Sequence, residues 1–275
     1  MHALRRFAAL ISLGLLLVLA GCSGLTLLYQ QLPLAASLWA DRYLDLDGPQ
    51  RQRLREHLRQ WQAWHRREEL PQWLALLREA HQALEGGVTR EELLALEQGA
   101  LASAERSLQQ AAPLAAPVLA SLRPAQWQHL QQTLDARLTQ WREREAGADA
   151  AQARGERWAA GLARWLGDLD RPVRRAAQAE AARWQVDLPA QAQVRAARQA
   201  RTLEALRAWA QQEHGAGVAL LMRNLQPQPA ELAYREQALA AVLRLLNGLD
   251  AGQREAVHRH WRAWERELGR LQSGG

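Results

Sequence analysis

The chain has 275 residues, 35 basic against 29 acidic side chains, one cysteine, and twelve tryptophans beside three tyrosines and one phenylalanine. Every basic residue is arginine, interspersed with acids, so the formal charge of +6 is too diffuse to mark a nucleic-acid partner. A lone cysteine excludes an internal disulfide, and the length suffices to bury a core in one or two domains without one.

At the amino terminus, Arg5 and Arg6 precede an apolar run from Phe7 to Ala20, followed by the small residues that end at Cys22. A cationic head, a short apolar core and a small-residue cut site make an export signal. The run, about 14 residues, is shorter than the roughly 20 that cross a bilayer. Leu19-Ala20-Gly21-Cys22 resembles the lipobox of bacterial lipoproteins. That resemblance implies cleavage before Cys22 and acylation of its sulfur, so that the lipid bilayer itself is a partner. Each buried methylene then contributes about 0.8 kcal/mol to attachment. Ser23, where an inner-membrane lipoprotein would often carry Asp, implies sorting to the periplasmic face of the outer membrane. Removing residues 1–21 leaves 254 residues with a formal charge of +4.

Residues 22–33 read as a lipidated tether and 34–275 as a helical body. β-branched residues are few, and no Asn-Gly or Asp-Gly turn separates alternating apolar runs, so strands are not expected. A short helix is predicted at 34–45. Asp47-Gly48-Pro49-Gln50 then opens a long one, with Asp47 as cap, Pro49 in the first turn and Gln50 at the reciprocal capping position. Thr89-Arg90-Glu91-Glu92 repeats that logic for a helix at 89–111, and Pro113 and Pro117 are expected to break the stretch after it. In the helix at 124–146, Trp127, Leu130, Leu134, Leu138 and Trp141 line one apolar stripe. Further helices are predicted at 150–167, 171–186 and 190–213, and Gly215-Ala216-Gly217 is expected to interrupt the chain. The last two run over 229–246 and 250–271, the final one with a coiled-coil-like seam at Val257, Trp261, Trp264, Leu268 and Leu271. The expected fold is all-α, an antiparallel bundle of long, partly kinked helices. If the body forms two helical subdomains, they would divide near 147–170.

One pattern recurs at helix starts: Leu46-Asp47-Gly48-Pro49-Gln50, Leu122-Arg123-Pro124-Ala125-Gln126, Leu249-Asp250-Ala251-Gly252-Gln253, and more loosely Leu169-Asp170-Arg171-Pro172-Val173. Their uneven spacing excludes a solenoid, leaving shared capping chemistry or an old duplication of helical hairpins.

The candidate site is Trp64-His65-Arg66-Arg67-Glu68-Glu69-Leu70-Pro71. The apolar stripe Leu54, Leu58, Trp61 continues onto His65, whereas Leu70, Trp73, Leu74 and Leu77 fall nearly opposite. A change of buried face beside Pro71 predicts a kink or break near Leu70. His65, Arg66, Arg67, Glu68 and Glu69 would gather there, either as a polar pocket for a partner or as an ion-pair network fixing the bend. At least one of Arg67 and Glu68 is expected to be structural, supplying polar partners at the bend. His65 and Glu69 have a spacing that could share a metal, but no second histidine completes a zinc-protease motif, so no metal and no cofactor is assigned.

No nucleophile elbow, phosphate loop or free cysteine is present, so no catalytic residue is named and the chain reads as a non-enzyme. The tryptophans read as core aromatics, each with one N–H that wants a partner. The lipobox, the Trp39–Gln50 stretch and Trp64–Pro71 together resemble a family of proteobacterial lipoproteins defined by a domain of unknown function, which implies no activity. A fainter likeness is to small periplasmic helical chaperones whose helices begin Leu-Thr-x-x-Gln; here Asp47, Arg123 or Asp250 replaces the threonine. The expectation is a membrane-anchored helical binding or scaffold protein of the envelope whose partner is an envelope protein or glycan. A chaperone-like role and, further off, glycan-directed catalysis by carboxylates from separate helices are the alternatives.

Overall fold

The computed structural model describes residues 29–273, and among them the fold is all-α, with no strand. We number its helices α1 Leu32–Leu44, α2 Gly48–Gly86, α3 Arg90–Ala120, α4 Pro124–Glu145, α5 Ala150–Leu166, α6 Arg171–Ala182, α7 Leu188–Ala210, α8 His214–Leu225, α9 Pro229–Asn247 and α10 Ala251–Ser273. Helices adjacent in sequence pack as hairpins in α1/α2, α2/α3, α5/α6 and α7/α8, and α10 returns along α2.

The starts obey the capping chemistry read from the sequence. Asp47 accepts from the Gln50 N–H at 3.0 Å while Gln50 accepts from the Asp47 N–H at 3.0 Å, and Thr89 and Glu92 form the same box. Asp170 and Asp187 cap α6 and α7. Asp45, in the left-handed conformation at φ 47°, ends α1.

The prolines do not break their helices. The 39-residue α2 runs through Pro71 without interruption, and the 31-residue α3 runs through Pro113 and Pro117. Tertiary packing offsets the lost backbone bonds: Ala112, Ala116, Val118 and Leu119 are buried along the proline-bearing part of α3, which packs on α7 and α8. In α2 the buried face rotates because the neighbours change. Leu54 faces a cluster holding Leu46, Ala112, Leu122 and Trp209. Leu70 meets Tyr29, Leu268 and Leu271. Leu77 and Leu84 face a second large cluster with Leu162, Leu166, Leu246 and Trp261. One continuous helix thus serves several cores in succession.

Gly215-Ala216-Gly217, expected as an interruption, lies in the first turn of α8. A Cβ on Gly217 would stand 2.3 Å from the Trp209 ring, so this glycine serves the close approach of α7 and α8. Gly155 does the same for α5 and α6, where a Cβ would meet the Gln178 carbonyl at 2.3 Å.

The recurrent helix starts pair with one another in space. Gln126 donates to the side chain of Gln50 at 2.8 Å and Gln50 donates back at 3.3 Å, while Arg123 reaches Asp47 at 2.8 Å and Leu46 and Leu122 share a core. The Gln126 amide also reaches the carbonyls of Leu44 and Asp45, at 3.2 and 2.7 Å. The second pair repeats the plan in simpler form. Gln253 donates to Asp170 at 2.6 Å, and Leu169 and Leu249 share the other large core. Between the pairs, Asn247 at the end of α9 clamps the α2–α3 turn through the N–H and the carbonyl of Val88, both at 2.8 Å.

The tryptophans divide between core and half-buried positions, with Trp165 exposed. Trp141, Trp184, Trp209 and Trp261 are buried, and indole N–H groups cross between helices to carbonyls, from Trp61 to Ser107 at 3.1 Å and from Trp261 to Trp165 at 2.6 Å.

Candidate functional site

The eight-residue segment 64–71 does not converge on one pocket. It lies on a single helix, and at 100° per residue its polar side chains leave in different directions. His65 and Glu69, one turn apart, point inward; Arg67 and Glu68 are exposed; Arg66 lies half-buried at the flank.

Glu69 is 1% exposed and fully engaged. Ser103 Oγ donates to it at 2.5 Å, and the Arg106 guanidinium forms a fork, with Nε at 2.7 Å from one carboxylate oxygen and Nη2 at 3.1 Å from the other. Both partners come from α3, so the network joins the middle of α2 to its neighbour. The carboxylate raises the Arg106 pKa, chiefly through that hydrogen bond.

His65 is 5% exposed and sits 3.1 Å from the Tyr29 hydroxyl, which is 3.3 Å from the Gln62 carbonyl. Both contacts are satisfied when Nδ1 carries the imidazole proton and donates to the phenol oxygen, which donates in turn to Gln62. Burial pushes the His65 pKa down to about 4, against the opposing pull of Glu69. The imidazole is therefore neutral at physiological pH and does not form a cationic grip. Burial likewise pushes the Tyr29 phenol up to about 12, although Arg66, its guanidinium 5.7 Å from the ring centre, acts the other way.

The sequence-based expectation for Arg67 and Glu68 is therefore corrected. Neither takes part in the buried network: they leave α2 on its solvent side, and the structural carboxylate is Glu69. The metal-like spacing of His65 and Glu69 is occupied by separate partners, Tyr29 and the Ser103–Arg106 pair. Among the described residues no group of three or more metal-ligating side chains is suited to an ion. Cys22 lies outside the described residues. Tyr29, Ser103 and Arg106 were not foreseen, because their link to α2 spans more than thirty positions of chain and leaves no local spacing to read.

A second polar contact, also unforeseen, joins α2 to α10. His81 Nδ1 and His258 Nδ1 lie 2.8 Å apart with the rings stacked, and Glu265 stands 3.8 Å from His81 Nε2. Burial lowers the His81 pKa, and the neighbouring His258 and Arg262 reinforce the shift against Glu265 and Glu85.

Elsewhere among the described residues several acids pair with guanidiniums. Arg198 grips Glu231 at 2.6 Å, Arg90 pairs with Glu236 at 2.8 Å, and Arg157 pairs with Glu145 at 2.7 Å. An open depression between α7 and the start of α9, of about 300 Å³, is lined by Ala190, Gln193, Val194, Ala197, Gln228 and Pro229 among others and has no titratable side chain.

The model of a family of unknown function, DUF6279, matches residues 42–232. The chain belongs to this family. The DUF6279 span holds the Glu69–Ser103–Arg106 network, His65 and the paired helix starts at Gln50 and Gln126, while Tyr29 precedes it and Gln253 and His258 lie beyond it. No curated protein and no solved structure matches the chain.

Proposed function

We propose that this DUF6279 protein is a lipid-anchored, non-enzymatic helical scaffold of the bacterial cell envelope, held by an acylated Cys22 at the periplasmic face of the outer membrane. The observation that carries the scaffold reading is the state of Glu69. The acid most deeply buried within the candidate segment is saturated by Ser103 and Arg106, and a saturated carboxylate ties two long helices together instead of awaiting a substrate. Pairing of other acids with arginines from separate helices supports the same conclusion, because a glycan-directed pair needs two carboxylates facing one another across a gap.

The anchor rests on Arg5, Arg6, the apolar run and Leu19-Ala20-Gly21-Cys22. No helix among the described residues is long and apolar enough to cross a membrane, so in this reading attachment falls to the lipid. The partner is an envelope protein or glycan that meets the exposed helix faces.

The test is mass spectrometry of the mature amino terminus, with fractionation of the Cys22→Ser variant. The expected result is an acylated Cys22 in the parent and loss of the processed, membrane-bound form in the variant. A cleaved variant that still sediments with membranes would show a different anchor. Crosslinking in intact cells then names the partner.

A further inference from the structure

The link between Cys22 and the folded body is short. Tyr29 is 1% exposed and bonded to α2, so the body is fixed from that residue onward. Six residues lie between it and Cys22, and the seven chain steps that join the two reach at most about 25 Å. The 39-residue α2 alone is about 58 Å long. A tether shorter than half the body's long dimension cannot let it present any face at random; the side where the chain enters at Tyr29 is held towards the bilayer.

Helix α1 begins three residues beyond Tyr29. Its inner side buries Leu32, Ala36, Ser37 and Tyr43 against the body. Its outer side carries Leu34, 44% exposed, and Leu38, at 61% the most exposed large apolar side chain among the described residues. Four residues on, Arg42 continues the same row and is also exposed. Two leucines and then an arginine, whose long stem lets its charge reach headgroup phosphates, suit a helix lying in the membrane interface. Arg66, beside the Tyr29 ring, puts a further cation at the point of entry.

From this we infer that the outer row of α1, Leu34, Leu38 and Arg42, rests in the headgroup layer of the membrane that holds Cys22 and so fixes how the body stands on it. The inference depends on the lipid-anchor reading of Cys22. It adds an orientation that a lipid on a flexible tether would not impose.

The test uses the full-length, lipidated protein in vesicles of phosphatidylethanolamine and phosphatidylglycerol. Acylation consumes the only native thiol, so Leu38→Cys can be labelled alone with an environment-sensitive dye, and Leu232→Cys on α9 serves as the reference. The label at position 38 is expected to emit further to the blue than the label at 232, and to be quenched by lipids bearing a shallow spin label. Adding Leu34→Asp to the Leu38→Cys protein should return the emission to its value in water while the protein stays vesicle-bound with an unchanged melting temperature. Equal emission at the two positions on vesicle-bound protein overturns the inference and leaves the anchor intact. A blue shift that rises with protein density and resists lipid quenching also overturns it, because a second copy of the chain would then cover α1. Absence of acyl chains on Cys22, with loss of vesicle retention, shows instead that the anchor reading has failed.

Discussion

The inner and outer rows of α2 between Gln62 and Glu69 share one short stretch of sequence and have opposite fates. Gln62, His65 and Glu69 face Tyr29, Ser103 and Arg106 and are almost wholly removed from water. Arg67 and Glu68, interleaved with them, are solvated. The difference shows that a dense polar motif need not be one site. Helical periodicity divides it, and what the inward half meets decides its role. The inward half is a structural joint, and the outward half is free surface.

The joint can be broken most severely at Arg106. Arg106→Ala strands a carboxylate that is 1% exposed, at a cost on the order of 2–3 kcal/mol, because a buried charge then loses its forked partner. Urea unfolding measures the loss. Arg106→Lys should recover only part of it, since an ammonium cannot reproduce the two-pronged contact.

His65 sharpens the comparison through pH. Its folded pKa of about 4 lies below the ordinary histidine value, so the unfolded chain takes up the proton first as pH falls. Stability from this residue is therefore whole above about 6.5 and declines from there towards pH 4. Between pH 7 and pH 4.5 the loss is on the order of 2 kcal/mol. Burial shifts His81 and His260 in the same direction, so the share of His65 is the difference between the parent and His65→Gln. Parallel pH curves for the two proteins would contradict the buried, neutral imidazole.

The paired helix starts give a graded version of the same contrast. Gln126 is 2% exposed with its amide spent on Gln50 and on two carbonyls, so Gln126→Ala should cost between about 1 and 2 kcal/mol. Gln253 bonds the exposed Asp170, and Gln253→Ala should cost about 0.5 kcal/mol. Equal losses in chemical denaturation would remove the distinction between a buried and a solvated joint. At the small end, Arg67→Ala should stay within about 0.5 kcal/mol of the parent, as a solvated charge does.

Much of the fold was legible because helix starts are local chemistry. Asp47–Gln50 and Thr89–Glu92 declare themselves within four residues, and the structure places both boxes where the sequence indicated. Where helices continue was less legible. Pro71, Pro113 and Pro117 are locally unfavourable to a helix, and they are overridden by packing of α3, α7, α8 and α10, which no local window contains. The recurrent Leu-x-x-x-Gln pattern was visible as capping, but the mutual pairing of Gln50 with Gln126 was not, because it depends on two helix ends meeting across 76 residues. The candidate site was half legible for the same reason. Periodicity put His65 on the stripe of Leu54, Leu58 and Trp61, and it is buried; the structural role expected of Arg67 or Glu68 falls to Glu69 instead, because Arg106 stands on that side of the helix.

Glu68 and Glu69 provide the most direct test of the structural joint, being chemically identical neighbours with opposite surroundings. Thermal melts of Glu68→Gln and Glu69→Gln, made in residues 23–275 expressed without the signal, isolate surroundings from residue type. Loss of a charge-assisted buried network should lower the Glu69→Gln midpoint by roughly 4–8 °C, while Glu68→Gln stays within about 1 °C of the parent. Two midpoints that move together, or a larger fall in Glu68→Gln, would contradict the assignment of the inward row as the joint and the outward row as surface.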